Sequence, residues 1–439
     1  MGTLVRGGTV ISVDPAIGDL PRGDVLVEDG RISAVAERLD APGADVLDAT
    51  GMLVLPGFVD THRHTWQAVF RGLAADWTFA RYGPAMHGLL RPLYRPEDVL
   101  VGTLLGRLEA LHSGVTTVLD WCHCTDTPAH GDAALDALRQ APGRSVFCYG
   151  AGVATDGPVA AELARMRDRC PGDDGLVTMA AGLRGPQRTA IETTAADVAA
   201  ARDLGLRVSV HAHVRAGATA GRRPIAAMGE HGLLDDRTTI VHGNGLDDDE
   251  LAMLADAGCS VSISPDVELK MGLGWPETGR VLAAGIRPAL SVDNCPTAGG
   301  DMFSAMRTAL GVQRGLDTAH GRPPSLTSRD VLEFATVDGA RALGLGDRTG
   351  SITPGKQADL VLLRADDLTL FPVNHPAGAI LSAGHPGLVD TVLVAGEVVK
   401  RGGALVGVDL EELRERALRS RARIAAAAGI PLDGSWLPV

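Results

Sequence analysis

The chain has 439 residues, 45% of them hydrophobic but only 3% aromatic, with 55 glycines and a formal net charge of −13. This length suits one large barrel plus an accessory domain, with a core built mainly from Ala, Val, Leu and Ile. The negative charge argues against nucleic acid or an anionic membrane as a partner, and no apolar run reaches the ~20 residues of a membrane span.

Residues 1–55 read as short strands and turns: Thr9–Val13, Asp24–Glu28 and Arg31–Val35, with Glu28-Asp29-Gly30-Arg31 as a hairpin turn. The first residues, Met1 to Arg6, lack the basic-then-apolar pattern of a signal peptide. Cys122, Cys124, Cys148, Cys170, Cys259 and Cys295 are sparse and irregularly spaced, unlike a disulfide framework. Cys122-His123-Cys124 has no second cysteine pair to complete a tetrahedral site and reads as strand-end packing. A reducing cytoplasm is the expected location.

From residue 56 to about 345, apolar strands alternate with helical segments. The strands are Leu53–Val59, Thr116–Asp120, Ser145–Tyr149, Val177–Ala181, Val208–Val210, Thr239–Val241, Ser260–Ile263 and Ala289–Val292. Glu97–His112, Asp132–Arg139, Thr194–Leu204, Asp247–Ala257 and Glu277–Ala284 are helical stretches between them. Such alternation predicts an α/β fold, a (β/α)8 TIM barrel, whose strands are continuous apolar runs because both faces are buried. Residues 346–439 return to strand-and-turn texture, around Gly350–Leu362 and Asp390–Val399, before an Arg/Ala-rich helix at Leu410–Ala428. They resemble residues 1–55, so the two chain ends are expected to share one small sheet domain.

Chemistry concentrates where the strands stop. Leu55–Val59 runs into Asp60-Thr61-His62-Arg63-His64, and strand alternation sends His62 and His64 to the same side. Strand five runs into His211-Ala212-His213, strand six ends at His242, and strand eight ends at Asp293. A parallel barrel gathers its C-terminal strand ends on one face. His62, His64, His211, His242 and Asp293 are therefore expected to converge, the pattern of a metal or catalytic cluster.

These segments resemble the amidohydrolase superfamily, in the branch with cytosine deaminase and the triazine hydrolases. The likeness rests on Pro56–His64, Gly205–His211, Ile240-Val241-His242-Gly243, Leu290-Ser291-Val292-Asp293 and Gly350–Val361, and so runs nearly end to end. It implies that residues 1–55 and 346–439 form a composite β-sandwich. It also implies that His62, His64, His211 and Asp293 bind one divalent metal ion, zinc or iron, with His242 beside the attacking water or the substrate. Three imidazoles and a carboxylate with an open position suit an ion that activates water, and Asp293 can take the water proton. Two-metal relatives carry a carboxylated lysine after strand four. Leu176–Arg184 has no lysine, which favours one ion. His213 shares a face with His211 and would be the ligand if the strand were offset. Otherwise it belongs near the substrate.

One departure matters. Deaminases of this branch place a proton-carrying glutamate three residues after the strand-five histidine. Val214 stands there, or Ala216 if the count starts from His213. Glu268, after strand seven, is the leading substitute as proton carrier, with His242 and His213 behind it. Trp66, Trp121 and Trp275 follow strand ends and are candidates to stack on a flat ring. Gln67 and His123 are candidate polar contacts. Asp76-Trp77 and the Met302/Phe303 region are candidate lids or contacts of a homo-oligomer. Ala298-Gly299-Gly300-Asp301 lacks a phosphate-loop context and reads as a loop.

The expected activity is hydrolysis of a C–N bond: water displaces an amino or other leaving group from a small nitrogen heteroaromatic. The alternatives are loss of halide or nitro from an azole or triazine, hydrolysis of a cyclic amide, and a non-catalytic metal-binding barrel.

Overall fold

In the computed structural model, residues 2–151, 159–172, 174–213 and 221–432 are described. Strands β1 (Thr3–Ile11), β2 (Asp19–Glu28), β3 (Arg31–Ala36), β4 (Asp45–Asp48) and β5 (Met52–Pro56) open the chain. The parallel strands follow: β6 (Phe58–Arg63), β7 (Val115–Cys122), β8 (Arg144–Gly150), β9 (Val177–Leu183), β10 (Arg207–Ala212), β11 (Thr238–His242), β12 (Ser260–Ile263) and β13 (Ala289–Leu290). The chain then returns through β14 (Leu360–Arg364), β15 (Val389–Val394), β16 (Glu397–Arg401) and β17 (Ala404–Leu405) to a helix at Leu410–Ala428.

β6 to β13 pair in sequence order with helices between them, giving a nearly closed eight-stranded (β/α)8 barrel. The two chain ends build one mixed nine-stranded sheet, joined where β14 pairs antiparallel with β5. Asp29 and Gly30 turn the β2–β3 hairpin with φ of 50° and 74°, the left-handed pair such a two-residue loop requires. Among the described residues no helix is long and apolar enough to cross a membrane.

The run Leu53–Val59, read from sequence as one strand, is two. Met52–Pro56 belongs to the terminal sheet and Phe58–Arg63 to the barrel. Gly57 is the break. A Cβ there would lie 2.1 Å from Thr116 Oγ1, so only glycine lets β6 enter the barrel against β7.

The barrel closes through the segments that carry the candidate ligands. Arg63 and Asp293 form a parallel bridge. The His64 N–H donates to the Asp293 carbonyl at 2.7 Å, and the Asp293 N–H donates to the His62 carbonyl at 2.9 Å. Arg63 points the other way and is buried. Its guanidinium donates to Glu109 Oε2 at 2.6 Å and to the Gly300 carbonyl at 3.1 Å, tying the end of β6 to the loop after β13.

The helix Pro96–His112 fixes the turn that follows His64. It starts with Pro at its first position, where the missing N–H costs nothing, and the Asp98 side chain accepts the Arg95 N–H at 2.8 Å. A Cβ on Gly102 would sit 2.2 Å from the Trp66 carbonyl oxygen, so this glycine lets helix and turn touch backbone to backbone. Trp77, Met302 and Phe303 are buried in the core, Phe303 edge-on to Phe58 at 5.1 Å. They are packing residues of this chain and not free to act as a lid, while Asp76 beside Trp77 is exposed.

Candidate active site

Five side chains meet at the C-terminal mouth of the barrel. His62 and His64 leave β6, His211 leaves β10, His242 ends β11, and Asp293 follows β13. His62 Nε2 lies 3.2 Å from His211 Nε2 and 3.8 Å from Asp293 Oδ1. His64 Nε2 lies 3.4 Å from Asp293 Oδ1, and His242 Nε2 lies 3.8 Å from Asp293 Oδ2. Donors around a tetrahedral ion with bonds of about 2.0–2.1 Å stand ~3.3 Å apart, so the cluster is able to hold a metal.

The protonation pattern fits a cation. The Trp121 carbonyl accepts the His64 Nδ1–H at 2.6 Å, which leaves a lone pair on Nε2. That lone pair faces a carboxylate oxygen, an arrangement that is repulsive unless positive charge lies between them. Burial also holds His62, His64 and His211 below the ordinary imidazole range, which favours the neutral form that a metal ligand needs.

His242 is different. Burial would lower its pKa, but the hydrogen bond to Glu268 and the charge of Asp293 outweigh it and hold the imidazole above its ordinary value. Its Nδ1–H donates to Glu268 Oε1 at 3.2 Å. His242 and Asp293 also sit at positive φ, 75° and 66°. Non-glycine residues take this conformation at a cost of about 1–3 kcal/mol each, which is typical of functional positions.

A cavity of about 570 Å³ opens onto the cluster. His64, His211, His242 and Asp293 border its inner end, with Trp121 and His123 beside them and Phe79, Tyr82, His87, Arg184, Arg188, Met271 and Leu273 further along. Trp121 packs its ring 4.7 Å from His211 and donates its indole N–H to Ser209 Oγ.

Several expected contacts stand elsewhere. Glu268 is fully buried in the helix Pro265–Lys270, behind His242 and off the cavity wall. It accepts from the Ser264 N–H at 2.8 Å and from Asn244 Nδ2 at 3.4 Å. Trp66 and Gln67 lie in the buried turn Thr65–Phe70, also off the wall. Trp66 donates to His123 Nδ1 at 3.2 Å, and the Gln67 amide binds the Tyr82 hydroxyl at both ends. Trp275 is 61% exposed. Its loop turns outward at Gly274, φ 140°, while Leu273 takes the wall position. His213 is off the wall too, its ring 5.6 Å from Phe79 and 6.1 Å from His242. Val214 and Ala216 lie outside the described residues.

Sequence reasoning missed Tyr82, His87, Arg184 and Arg188. Tyr82 and His87 fall between predicted elements in a segment without strand or helix periodicity. The rarity of tyrosine, three in the chain, was the only signal there.

The profile of the Amidohydrolase family matches residues 53–399. This chain belongs to the amidohydrolase family. The amidohydrolase is 34% identical to a 5-methylthioadenosine/S-adenosylhomocysteine deaminase from Desulforudis audaxviator, over 97% of this chain and 99% of that protein. It is 32% identical to a 5'-deoxyadenosine deaminase from Methanothermobacter thermautotrophicus, over 97% and 98%. An adenosine deaminase from Xanthomonas campestris, solved with bound zinc, superposes with a TM-score of 0.87 at 27% identity, covering 97% of this chain and 98% of that one. A triazine hydrolase from Arthrobacter aurescens superposes equally well, TM-score 0.87, but at 24% identity, over 96% and 99%, it supports the fold alone. The family and its deaminase members make this amidohydrolase a hydrolytic enzyme acting on C–N bonds.

Proposed function

We propose that this amidohydrolase is a metal-dependent aminohydrolase that releases ammonia from an aminated nitrogen heteroaromatic. His62, His64, His211 and Asp293 would hold one divalent ion. The observation that carries the reading is the pair of close approaches at the cavity's inner end: His62 Nε2 to His211 Nε2 at 3.2 Å, and His64 Nε2 to Asp293 Oδ1 at 3.4 Å. A bound ion supplies Lewis-acid chemistry there, bringing the pKa of water from 15.7 toward ~7.

The chain's own residues divide the rest. Asp293 borders the cavity and accepts a proton from the attacking water, the work of a general base. The departing nitrogen needs that proton. His242, with Nε2 3.8 Å from Asp293 Oδ2, stands where it can pass the proton on, directly or through one water. Glu268 accepts the Nδ1–H of His242, fixes its orientation and steadies the imidazolium while it carries the proton. Glu268 is thus a positioning residue, not the carrier expected from sequence. A water O–H bond and the ring C–N bond break, a C–O bond and an N–H bond form, and ammonia leaves.

Trp121 offers a flat apolar face, and a cavity of about 570 Å³ accommodates a purine-sized ring with a substituent. The deaminase relatives favour an aminated ring over the other leaving groups. Zinc-loaded protein, incubated with free and nucleoside forms of aminated purines, pyrimidines and triazines, should release ammonia from at least one of them. Full zinc occupancy with no ammonia from any would overturn the reading.

A further inference from the structure

The wall of the cavity beside the cluster carries a hydrogen-bond donor of fixed polarity. His123 is 8% exposed and borders the cavity. Its Nδ1 faces the indole N–H of Trp66 at 3.2 Å. Indole nitrogen only donates, so Nδ1 must present its lone pair. The ring proton is therefore on Nε2, which has no hydrogen-bond partner among the described residues. Trp66 itself is fully buried and lies behind the wall, in the turn Thr65–Phe70 that Gly102 holds against the helix Pro96–His112. The tautomer is thus set by a side chain that packing does not allow to turn away. The ring is also held in place, its centroid 4.2 Å from that of His64 and 4.6 Å from that of His87.

Elsewhere on the described wall, Arg184 and Arg188 carry guanidiniums, Arg184 already donating to Asp197 at 3.2 Å, while Tyr82, His87, Thr189 and Thr193 can donate or accept. Asp293 is the one carboxylate on that wall and belongs to the cluster, so a second amino group on the substrate placed beside His123 would face a donor. We infer that Trp66 and His123 form a relay that selects rings bearing a hydrogen-bond acceptor, an oxo oxygen above all, next to the reacting carbon. The substrate class is then an amino-oxo heterocycle rather than a diamino one. This inference rests on the aminohydrolase reading above and narrows its substrate.

The test compares rings that differ by one group: isocytosine against 2,4-diaminopyrimidine, and guanine against 2,6-diaminopurine. With zinc-loaded enzyme, kcat/KM for ammonia release should favour the oxo member by about tenfold or more, the effect of leaving a buried donor unpaired. Dissociation constants from calorimetry should show the same order. Trp66→Phe frees the tautomer, so the preference should shrink toward unity while zinc content stays at the wild-type level. His123→Phe keeps a ring in place and should erase the preference even if the Trp66 variant does not fold. Equal treatment of the pairs by the wild type, preference for the diamino member, binding of neither member, or an unchanged ratio in the folded variants would overturn the relay. Absence of ammonia together with a calorimetric preference for the oxo rings would instead overturn the aminohydrolase reading and leave the relay standing.

Discussion

Replacing Glu268 with Gln isolates the partner behind His242. The substitution is isosteric. Its amide oxygen can still accept from the His242 Nδ1–H and the Ser264 N–H, which the carboxylate now binds at 3.2 and 2.8 Å. What disappears is the negative charge that steadies a protonated His242, along with the long 3.4 Å bond from Asn244 Nδ2 to Oε2. Hydrogen bonds to charged groups contribute about 1.5–3 kcal/mol, and Glu268 is fully buried, which favours the upper end. About 3 kcal/mol corresponds to roughly 10²-fold in rate. On the best substrate of the ammonia-release panel, Glu268→Gln should therefore lower kcat by about 10²-fold with KM and zinc content little changed. The raised pKa of His242 depends on Glu268, and His242 must start neutral to take the proton from Asp293, so the acidic limb of the kcat profile should move to lower pH. A kcat within twofold of wild type and an unmoved limb would refute the assignment.

Asp293→Ala should abolish turnover and reduce bound zinc well below the wild-type level, measured by elemental analysis after dialysis. Gly102→Ala would place a Cβ 2.2 Å from the Trp66 carbonyl and should destabilise the fold by about 1–3 kcal/mol in denaturant titration. Unchanged stability would mean that helix and turn are less tightly apposed. Metal-free protein should lose stability steeply between about pH 6.5 and 5. Burial comes first in holding His62, His64, His87, His123 and His211 below the ordinary imidazole range, so the unfolded chain binds protons there that the folded chain refuses. Asp60 and Asp120, pushed up to about 6 by burial, pull the other way in the lower part of that range. The five histidines outnumber the two aspartates, so the net change is a loss of stability as pH falls, and a flat unfolding free energy over that range would contradict it.

Residues that end barrel strands were the legible part of this site. His62, His64, His211, His242 and Asp293 could be brought together on paper because strand ends in a parallel barrel share one face. Alternation alone could not separate His211 from His213. What distinguishes them is depth, since His211 reaches His62 while His213 lies against Phe79. Trp121 lines the cavity, but Trp66 and Trp275 were misread for a different reason. Position after a strand end does not tell whether a turn tucks inward, as at Trp66, or swings out, as at Trp275. The split at Gly57 was hidden in a continuous apolar run, and only the approach of Thr116 accounts for it. Tyr82 and His87 come from an irregular segment whose place over the cavity is set by tertiary packing, through Gln67 and Trp66.

The most direct test is the metal itself. Zinc-reconstituted protein should contain one ion per chain, and anomalous scattering from crystals should place it among His62 Nε2, His64 Nε2, His211 Nε2 and an Asp293 oxygen at about 2.0–2.2 Å. Zinc bound away from these four residues, or no stoichiometric zinc in folded protein, would contradict the account.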